Sequence, residues 1–236
     1  MTDWLPAGED LRQVLATLED PLRALSRAEI PAIVLRRSCT ADQCAALLTR
    51  FVERGLMPSA EEIARTERSR VDIGTSLANF GNDRDEFLNR SAESTELFQT
   101  LFDGVENPVT LIYNALATLA ESKRVITAHE PDGRHYCPAI VRIHYNGHRY
   151  RPHIDHVTLR EKRFDYAVTR FDHQFAGVFC LQNSIPHKLV PQAILHRCLW
   201  TGEVQPHIEA ETFAEYKAAR KIEDYRVDLE EGDLYF

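Results

Sequence analysis

The chain has 236 residues, of which 44% are hydrophobic and 27% are charged, and its formal net charge at pH 7 is −8. The hydrophobic fraction excludes an intrinsically disordered chain, and the acidic balance argues against a nucleic-acid partner, because DNA and RNA are bound by basic surfaces. We therefore expect one soluble globular domain over residues 1–236.

The cysteines and the N-terminus indicate the cellular compartment. Five cysteines occur without a CxxC pair, which predicts free thiols in a reducing compartment rather than disulfides. Residues 1–10 lack the apolar run of a signal peptide, and no apolar run in the sequence is long enough to span a bilayer. The sequence therefore predicts a cytoplasmic protein without a membrane partner, and it leaves the oligomeric state open.

Helices dominate the predicted structure of residues 1–130. Thr40 and Gln43 form a capping-box pattern at the start of one helix, and the β-branched run over 30–35 before it predicts a buried strand. Hydrophobic residues that recur about every 3.6 positions predict four helical segments, the first broken at Pro21: 10–26, 40–54, 84–102 and 108–122.

Short strands dominate the prediction for residues 131–236, where one helix, 209–220, interrupts them. Helices followed by short strands without βαβ alternation indicate an α+β fold, in which the strands form a sandwich or a jelly roll. The predicted strands are 139–145, 148–157, 175–182, 193–200, 225–229 and 234–236.

His153 and Asp155 give the strongest chemical signal in the sequence. Residues two apart on a strand project from the same face, so these side chains are expected to lie side by side. A histidine and a carboxylate placed in this way supply two arms of the 2-His-1-carboxylate site that binds Fe(II). The alternative is a solvent-exposed edge strand that carries polar residues.

Neighbouring motifs extend this signal. Arg142, Tyr145 and Gly147 precede the pair in the pattern apolar-Arg-apolar-x-Tyr-x-x-Gly, and three further segments follow it: FAGVFCLQN, AILHRCLW and LEEGDLYF. Over residues 139–236 the chain resembles the Fe(II)- and 2-oxoglutarate-dependent oxygenases, in the branch that contains prolyl-hydroxylase-like enzymes, small-molecule hydroxylases and halogenases.

The resemblance implies a fold and a set of ligands. The fold is a double-stranded β-helix, a cupin-like jelly roll, with the helical N-terminal part packed on it. His153 and Asp155 are implied as ligands of Fe(II), with 2-oxoglutarate as cosubstrate and O2 as oxidant, and no catalytic residue is predicted beyond the metal ligands. Tyr145 and Arg142 are candidates for binding the cosubstrate, although strand alternation places them on opposite faces unless a bulge intervenes.

The resemblance also bears on the reaction. In halogenases of this family a small residue replaces the carboxylate ligand, which frees a position for chloride. Because Asp155 is retained, the sequence favours hydroxylation, with a small molecule or an amino-acid-like compound as substrate. The loop over 158–174 is predicted to act as a lid over the site.

The family pattern continues beyond the residues present here. In the family a second histidine ligand, and then an arginine that binds the far carboxylate of 2-oxoglutarate, follow the Gly-Asp-Leu turn, whereas this chain ends at Phe236. The resemblance therefore predicts a C-terminally truncated chain without activity of its own, whose strand edges beside 234–236 lack partners. The remaining downstream candidates for a third ligand are His187, His196 and His207.

Two alternatives remain open. One is a non-catalytic jelly-roll remnant that has lost the metal site. The other is a zinc hydrolase, because His153-Ile154-Asp155-His156 matches the end of the H-x-H-x-D-H motif of metallo-β-lactamases, with Arg151 in place of the first histidine. If the iron hypothesis holds, His156 is expected to point away from the pair.

Overall fold

The computed structural model describes residues 3–58, 61–62, 65, 70–121, 123–145, 148–183 and 193–236. Its helices are α1 (Leu11–Thr17), α2 (Pro21–Ser26), α3 (Ala41–Glu53), α4 (Leu77–Phe80), α5 (Arg84–Leu101), α6 (Pro108–Leu119), α7 (Gln205–Glu209) and α8 (Phe213–Arg220), with a 3-10 turn over Ala167–Arg170. Its strands are β1 (Ala7–Glu9), β2 (Ile33–Leu35), β3 (Arg70–Ile73), β4 (Val141–His144), β5 (Val178–Phe179), β6 (Ala193–His196), β7 (Asp224–Val227) and β8 (Leu234–Tyr235).

The predicted helices are confirmed where local capping signals define them. The Thr40 hydroxyl accepts a hydrogen bond from the backbone N–H of Gln43, and the Gln43 side chain accepts one from the backbone N–H of Thr40, so the capping box of α3 is complete. The predicted break at Pro21 is confirmed as well, because α2 begins there behind its N-cap Asp20.

The single helix predicted over 209–220 is wrong in its first part. Residues 205–209 form α7, and α8 begins only at Phe213. Between them Glu211 has a φ of 60°, a left-handed backbone conformation that ends one helix before the next begins.

The strands form three small sheets. β1, β2, β8 and β5 make a four-stranded sheet in that order, while β3–β4 and β6–β7 are antiparallel pairs. The α+β class is therefore observed, but these sheets do not close into a barrel within the part of the chain that the structure describes. The double-stranded β-helix remains a prediction.

The strand predicted over 148–157 is wrong, since all ten residues are described and none is in a strand. Two local features explain the irregular backbone. Pro152 lacks a backbone N–H for a sheet ladder, and Nδ1 of His156 lies 3.3 Å from the backbone nitrogens of both Thr158 and Leu159. Side-chain hydrogen bonds of this kind satisfy backbone N–H groups that would otherwise need a partner on a neighbouring strand.

The C-terminal residues are fully integrated into the four-stranded sheet. Tyr235 pairs with Val34 of β2 on one side and with Val178 of β5 on the other. Leu234 is completely buried, and Phe236 exchanges two backbone hydrogen bonds of 3.0 Å with Ile33. The predicted unpaired strand edges at 234–236 are therefore wrong, because β2 from the N-terminal part supplies the partner.

The turn before β8 requires a glycine. Gly232 has a φ of 88°, and a Cβ atom added there would lie 2.0 Å from the carbonyl oxygen of Cys39. Asp233, next in the chain, is 1% exposed and accepts hydrogen bonds from Arg36 and from the backbone N–H of Arg37 and Glu230. The Gly-Asp-Leu motif thus connects the C-terminal strand to the loop between β2 and α3.

The β3–β4 sheet positions the functional site. Val141 and Ile143 of β4 pack with Ile73 of β3 against a hydrophobic cluster that includes Phe98 and Leu101 of α5. Alternate β4 residues consequently face outward. Among the described helices, none combines the length and the apolar composition needed to cross a membrane.

Candidate metal centre

His153 and Asp155 lie side by side, although no strand holds them. Nε2 of His153 is 3.9 Å from Oδ1 of Asp155, and the two side chains are 32% and 51% exposed. Both side chains are thus reachable from solvent. They lie in an irregular segment, which brings them together as a strand was predicted to do.

The orientation of the His153 ring is fixed by a backbone contact. Nδ1 lies 2.6 Å from the carbonyl oxygen of Arg151. Because a carbonyl oxygen only accepts hydrogen bonds, Nδ1 is the donor in this contact, which leaves Nε2 as the ring nitrogen available to a metal ion. Metal-binding histidines typically donate their second N–H to a carbonyl or a carboxylate in this way.

The Asp155 carboxylate is held by a neighbouring cation. Nη1 of Arg160 donates to Oδ1 of Asp155 at 2.9 Å and to the carbonyl oxygen of Ile154 at 3.2 Å. Arg160 also lies 3.4 Å from Glu161. The guanidinium therefore orients the carboxylate, and it shares that carboxylate with any metal ion that binds there.

The pair lies near the geometry of a metal site without matching it. Two ligand atoms bound to one first-row metal at about 2 Å are about 3 Å apart in the adjacent positions of a facial site and about 4 Å apart in opposite positions. The observed separation of 3.9 Å would therefore have to shorten by about 1 Å for His153 and Asp155 to occupy adjacent positions. Within the described ranges, no three histidine, cysteine, aspartate or glutamate residues lie close enough together to hold a metal ion. The described residues thus supply two ligands and leave the third unassigned.

The downstream histidines do not complete the site where they are described. The His196 ring packs 5.0 Å from the Phe213 ring, and burial lowers its pKa, with a further contribution from Lys217. His207 contacts the hydroxyl of Thr212 at 3.0 Å. His187 lies outside the described residues. The three-ligand zinc arrangement with His156 is likewise not formed.

A polar cluster on the outer face of the β3–β4 sheet adjoins the pair. We call it the Tyr150 cluster, and it consists of Arg70, Asp72, His144, His148 and Tyr150. The Tyr150 hydroxyl lies 3.1 Å from Nη1 of Arg70 and 3.0 Å from Nε2 of His144. The His144 and His148 rings stack with centroids 4.7 Å apart, and the Tyr150 ring lies 5.7 Å from the His153 ring.

The surroundings of His144 in this cluster disfavour its protonated form. Burial lowers the pKa of His144, and the nearby His148 and Arg142 lower it further. The cluster was not predicted from the sequence, because it depends on the pairing of β3 with β4 across some 70 residues. The alternation of polar residues along β4 was a sequence signal that could have indicated it.

The two cosubstrate candidates occupy different environments. Arg142 is exposed on the outer face of β4, opposite Asp72 in the sheet register. Tyr145 follows the strand, and its hydroxyl is buried without a hydrogen-bond partner in the described part of the chain. Burial raises the pKa of Tyr145. Gly147, the third residue of that motif, lies outside the described residues.

The predicted lid segment is fastened at its centre. Tyr166 is buried and donates to the carbonyl oxygen of Gly81 at 3.0 Å, and the backbone N–H of Ala167 donates to Glu130 at 3.1 Å. At the base of the segment, the side chain of Gln174 accepts from the backbone N–H of Val157 at 3.1 Å. These contacts confine any lid movement to the residues on either side of Tyr166.

Two of the cysteines, Cys44 and Cys180, are poorly suited to act as nucleophiles. All five are free thiols. Burial raises the pKa of Cys44 to about 12 and that of Cys180 to about 11, so both remain protonated near neutral pH. Protonated thiols are poor nucleophiles.

Residues 10–185 match the model of a family described as carrier-protein-independent halogenase WelO5. The match spans well over half of the chain and contains α1 to α6, the β3–β4 sheet, and the His153–Asp155 pair. The chain belongs to this family. The WelO5 family comprises enzymes that depend on iron and 2-oxoglutarate, so the predicted membership of that enzyme class is confirmed. None of the curated proteins that were compared matches the chain.

Proposed function

We propose that this member of the WelO5 family is an Fe(II)- and 2-oxoglutarate-dependent dioxygenase that hydroxylates a small molecule. The observation that carries the proposal is the presence of Asp155 beside His153, with their donor atoms 3.9 Å apart. The resemblance implies that halogenases keep a small residue at the position of this carboxylate. A chain that retains the carboxylate leaves no equivalent position for a halide.

The described residues have distinct parts in this proposal. His153 would hold the metal through Nε2 and Asp155 through its carboxylate, with the Arg151 carbonyl and the Arg160 guanidinium fixing the two side chains. Bound iron together with 2-oxoglutarate and O2 would supply the oxidation of a substrate C–H bond. The third ligand is not among the described residues.

Tyr145 and Arg142 remain our candidates for contacting the cosubstrate. The Tyr145 hydroxyl is buried and has an unused hydrogen bond to offer among the described residues, and a buried polar atom of this kind calls for a partner. Arg142 offers an exposed guanidinium on the same strand face as His144.

A turnover experiment with matched variants tests the proposal. The strand over 234–235, which the resemblance expected to be unpaired, is paired on both sides. Contrary to the predicted inactivity, we therefore expect the purified protein to convert 2-oxoglutarate to succinate only when both Fe(II) and O2 are present. His153→Ala and Asp155→Ala should each reduce succinate formation to background. His156→Asn should retain it, because an asparagine side-chain oxygen can accept the backbone N–H bonds of Thr158 and Leu159 that Nδ1 of His156 accepts. Turnover that survives His153→Ala would refute the proposal, and absence of turnover in the unaltered protein would support the non-catalytic remnant.

The choice between hydroxylation and halogenation needs a second experiment. A library of small molecules is incubated with protein, Fe(II), 2-oxoglutarate and O2, with and without chloride. The masses of the products are then measured by mass spectrometry. We expect products that have gained one oxygen atom, at rates that do not depend on chloride. A chlorinated product from the unaltered protein would show that Asp155 does not block the halide position.

A further inference from the structure

The Asp155 carboxylate is bound to a cation of its own chain. Nη1 of Arg160 donates to Oδ1 of Asp155 at 2.9 Å and to the carbonyl oxygen of Ile154 at 3.2 Å. Oδ1 is also the Asp155 atom that lies 3.9 Å from Nε2 of His153. The guanidinium therefore holds the carboxylate oxygen that, together with Nε2 of His153, defines the proposed metal pair.

The guanidinium and a metal ion compete for this oxygen. A first-row metal binds a carboxylate oxygen at about 2 Å, and Nη1 of Arg160 is 2.9 Å from the same oxygen, so the two cations would lie within about 5 Å of each other. Like charges repel at that distance. His153 and Asp155 also have to approach each other by about 1 Å to bind one metal ion in adjacent positions, and the contact with Arg160 opposes any movement of Asp155.

Arg160 can leave Asp155 at little cost in stability. The two side chains are 38% and 51% exposed, and ion pairs that water can reach contribute little to stability. A second carboxylate already lies beside the same guanidinium, because Oε1 of Glu161 is 3.4 Å from Nε of Arg160. A guanidinium that gives up Asp155 therefore keeps an anionic partner within the same turn.

We propose that Arg160 is a competing counter-ion of the metal pair, which gives up Oδ1 of Asp155 to a divalent metal ion and pairs with Glu161 instead. The inference rests on the proposed function and goes beyond it, because it assigns Arg160 and Glu161 opposite effects on metal affinity. Arg160 lowers the affinity by holding Asp155, and Glu161 raises it by accepting the displaced guanidinium. Because both residues belong to the 158–174 segment, the attachment of that segment at its start depends on the metal.

The sign of the change in metal affinity tests the role of Arg160. Fe(II) binding to the full chain is measured by anaerobic calorimetry. Arg160→Gln should tighten Fe(II) binding by about twofold to fivefold, because it removes a partly exposed competing ion pair. Arg160→Lys keeps the charge without the guanidinium geometry, so its affinity should fall between those of the unaltered protein and Arg160→Gln. Weaker binding in Arg160→Gln would show that Arg160 supports the metal ligand, and it would overturn the inference.

Glu161 provides a second measurement. Glu161→Gln should weaken Fe(II) binding by about twofold, and this effect should disappear when residue 160 is already glutamine. A double-mutant cycle of this kind isolates the part of the Glu161 effect that passes through Arg160. An equal effect in both backgrounds would mean that the Glu161 carboxylate acts on the metal ion by its charge alone, which would overturn the exchange of partners.

Arg170→Gln is the matched control. Arg170 is an exposed residue of the same segment, and its guanidinium lies 5.0 Å from the centre of the Phe171 ring. Its removal should leave the Fe(II) affinity unchanged. If Arg170→Gln tightens Fe(II) binding as much as Arg160→Gln does, the gain comes from net charge and the inference fails. Thermal unfolding of each variant checks that the fold is intact.

His153→Ala separates the inference from the proposed function. If His153→Ala abolishes Fe(II) binding while Arg160→Gln leaves the affinity unchanged, the metal pair stands and the inference is overturned. If neither the unaltered protein nor Arg160→Gln binds Fe(II) in a way that depends on His153, both fall together. Tighter binding in Arg160→Gln that depends on His153 supports the inference, and a lack of succinate formation would then count against the proposed function alone.

Discussion

The carboxylates of Glu130 and Asp155 lie in opposite environments. The comparison distinguishes a carboxylate that stabilises the fold from one that is available to bind a metal ion. Glu130 is 1% exposed and accepts hydrogen bonds from the Tyr136 hydroxyl, from Arg84 at 2.5 Å and from the backbone N–H of Ala167 at 3.1 Å. Asp155 is 51% exposed and is held through one oxygen by Arg160. The first is surrounded by donors, whereas the second is accessible to a ligand.

The surroundings of Glu130 explain its structural role. Burial by itself would raise the pKa of Glu130, but the hydrogen bonds from Tyr136, Ala167 and Arg84 outweigh burial and lower it. The rings of Phe87, Tyr136 and Tyr166 pack edge to face around this group. The network joins α5, the turn over 130–136 and the centre of the 158–174 segment, so we expect it to hold the segment in place.

Removing each carboxylate should give the largest contrast. Glu130→Ala leaves the buried Tyr136 hydroxyl and the backbone N–H of Ala167 without their acceptor, which should lower the free energy of unfolding by about 2 to 4 kcal/mol. Asp155→Ala should change it by no more than about 0.5 kcal/mol, because the side chain is half exposed. Urea unfolding measures both, and equal losses in the two variants would contradict the contrast.

A smaller effect is expected from one hydroxyl of the network. Tyr136→Phe removes a donor from a buried carboxylate and should lower the free energy of unfolding by about 1 to 3 kcal/mol. Tyr150→Phe is the matched control. Tyr150 is 47% exposed, so water can replace its hydroxyl as the partner of Arg70 and His144. A drop in stability as large in the control as in Tyr136→Phe would show that burial does not decide the effect.

The pH dependence of stability should report Glu130. Its folded-state pKa lies below the ordinary value of 4.5, so its contribution is fully present above that value and is lost as pH falls through the folded-state pKa. The difference in unfolding free energy between the unaltered protein and Glu130→Gln should therefore be constant between about pH 6 and pH 7 and shrink below about pH 4. A difference that grows on acidification would show that the pKa is raised instead.

The smallest predicted effect concerns the cap of α3. Thr40→Ala removes the side-chain half of the capping box and should lower the free energy of unfolding by about 1 kcal/mol. Thr49→Ala, in the same helix, removes only an exposed hydroxyl bonded to the carbonyl of Ala45, and alanine is the better helix former there. We therefore expect no loss in Thr49→Ala, and a comparable loss in both variants would contradict the capping argument.

Local signals made part of this fold predictable. The capping box defined α3, Pro21 defined the start of α2, and the alternation along 139–145 defined β4. The pairing of β8 with β2 was not predictable, because it joins residues some 200 positions apart and leaves no periodic signal. Sequence similarity to the family instead suggested that the partners of 234–236 were missing.

In the site, too, the features set by nearby residues were predictable and those set by long-range pairing were not. The His153–Asp155 pair could be identified because its two residues are close in the sequence and chemically distinctive. The Tyr150 cluster could not, since Arg70 reaches Tyr150 only through the β3–β4 register. The strand expected around the pair was wrong because Pro152 and the side chain of His156 favour local bonding over a ladder.

Iron retention is the most direct readout of the His153–Asp155 pair. Fe(II) retained per chain is measured after anaerobic gel filtration with 2-oxoglutarate, for the unaltered protein and for His153→Ala, Asp155→Ala and His156→Asn. We predict that the unaltered protein and His156→Asn retain one iron per chain, and that His153→Ala and Asp155→Ala retain almost none. Equal iron content in all four proteins would contradict the assignment of His153 and Asp155 as the metal pair.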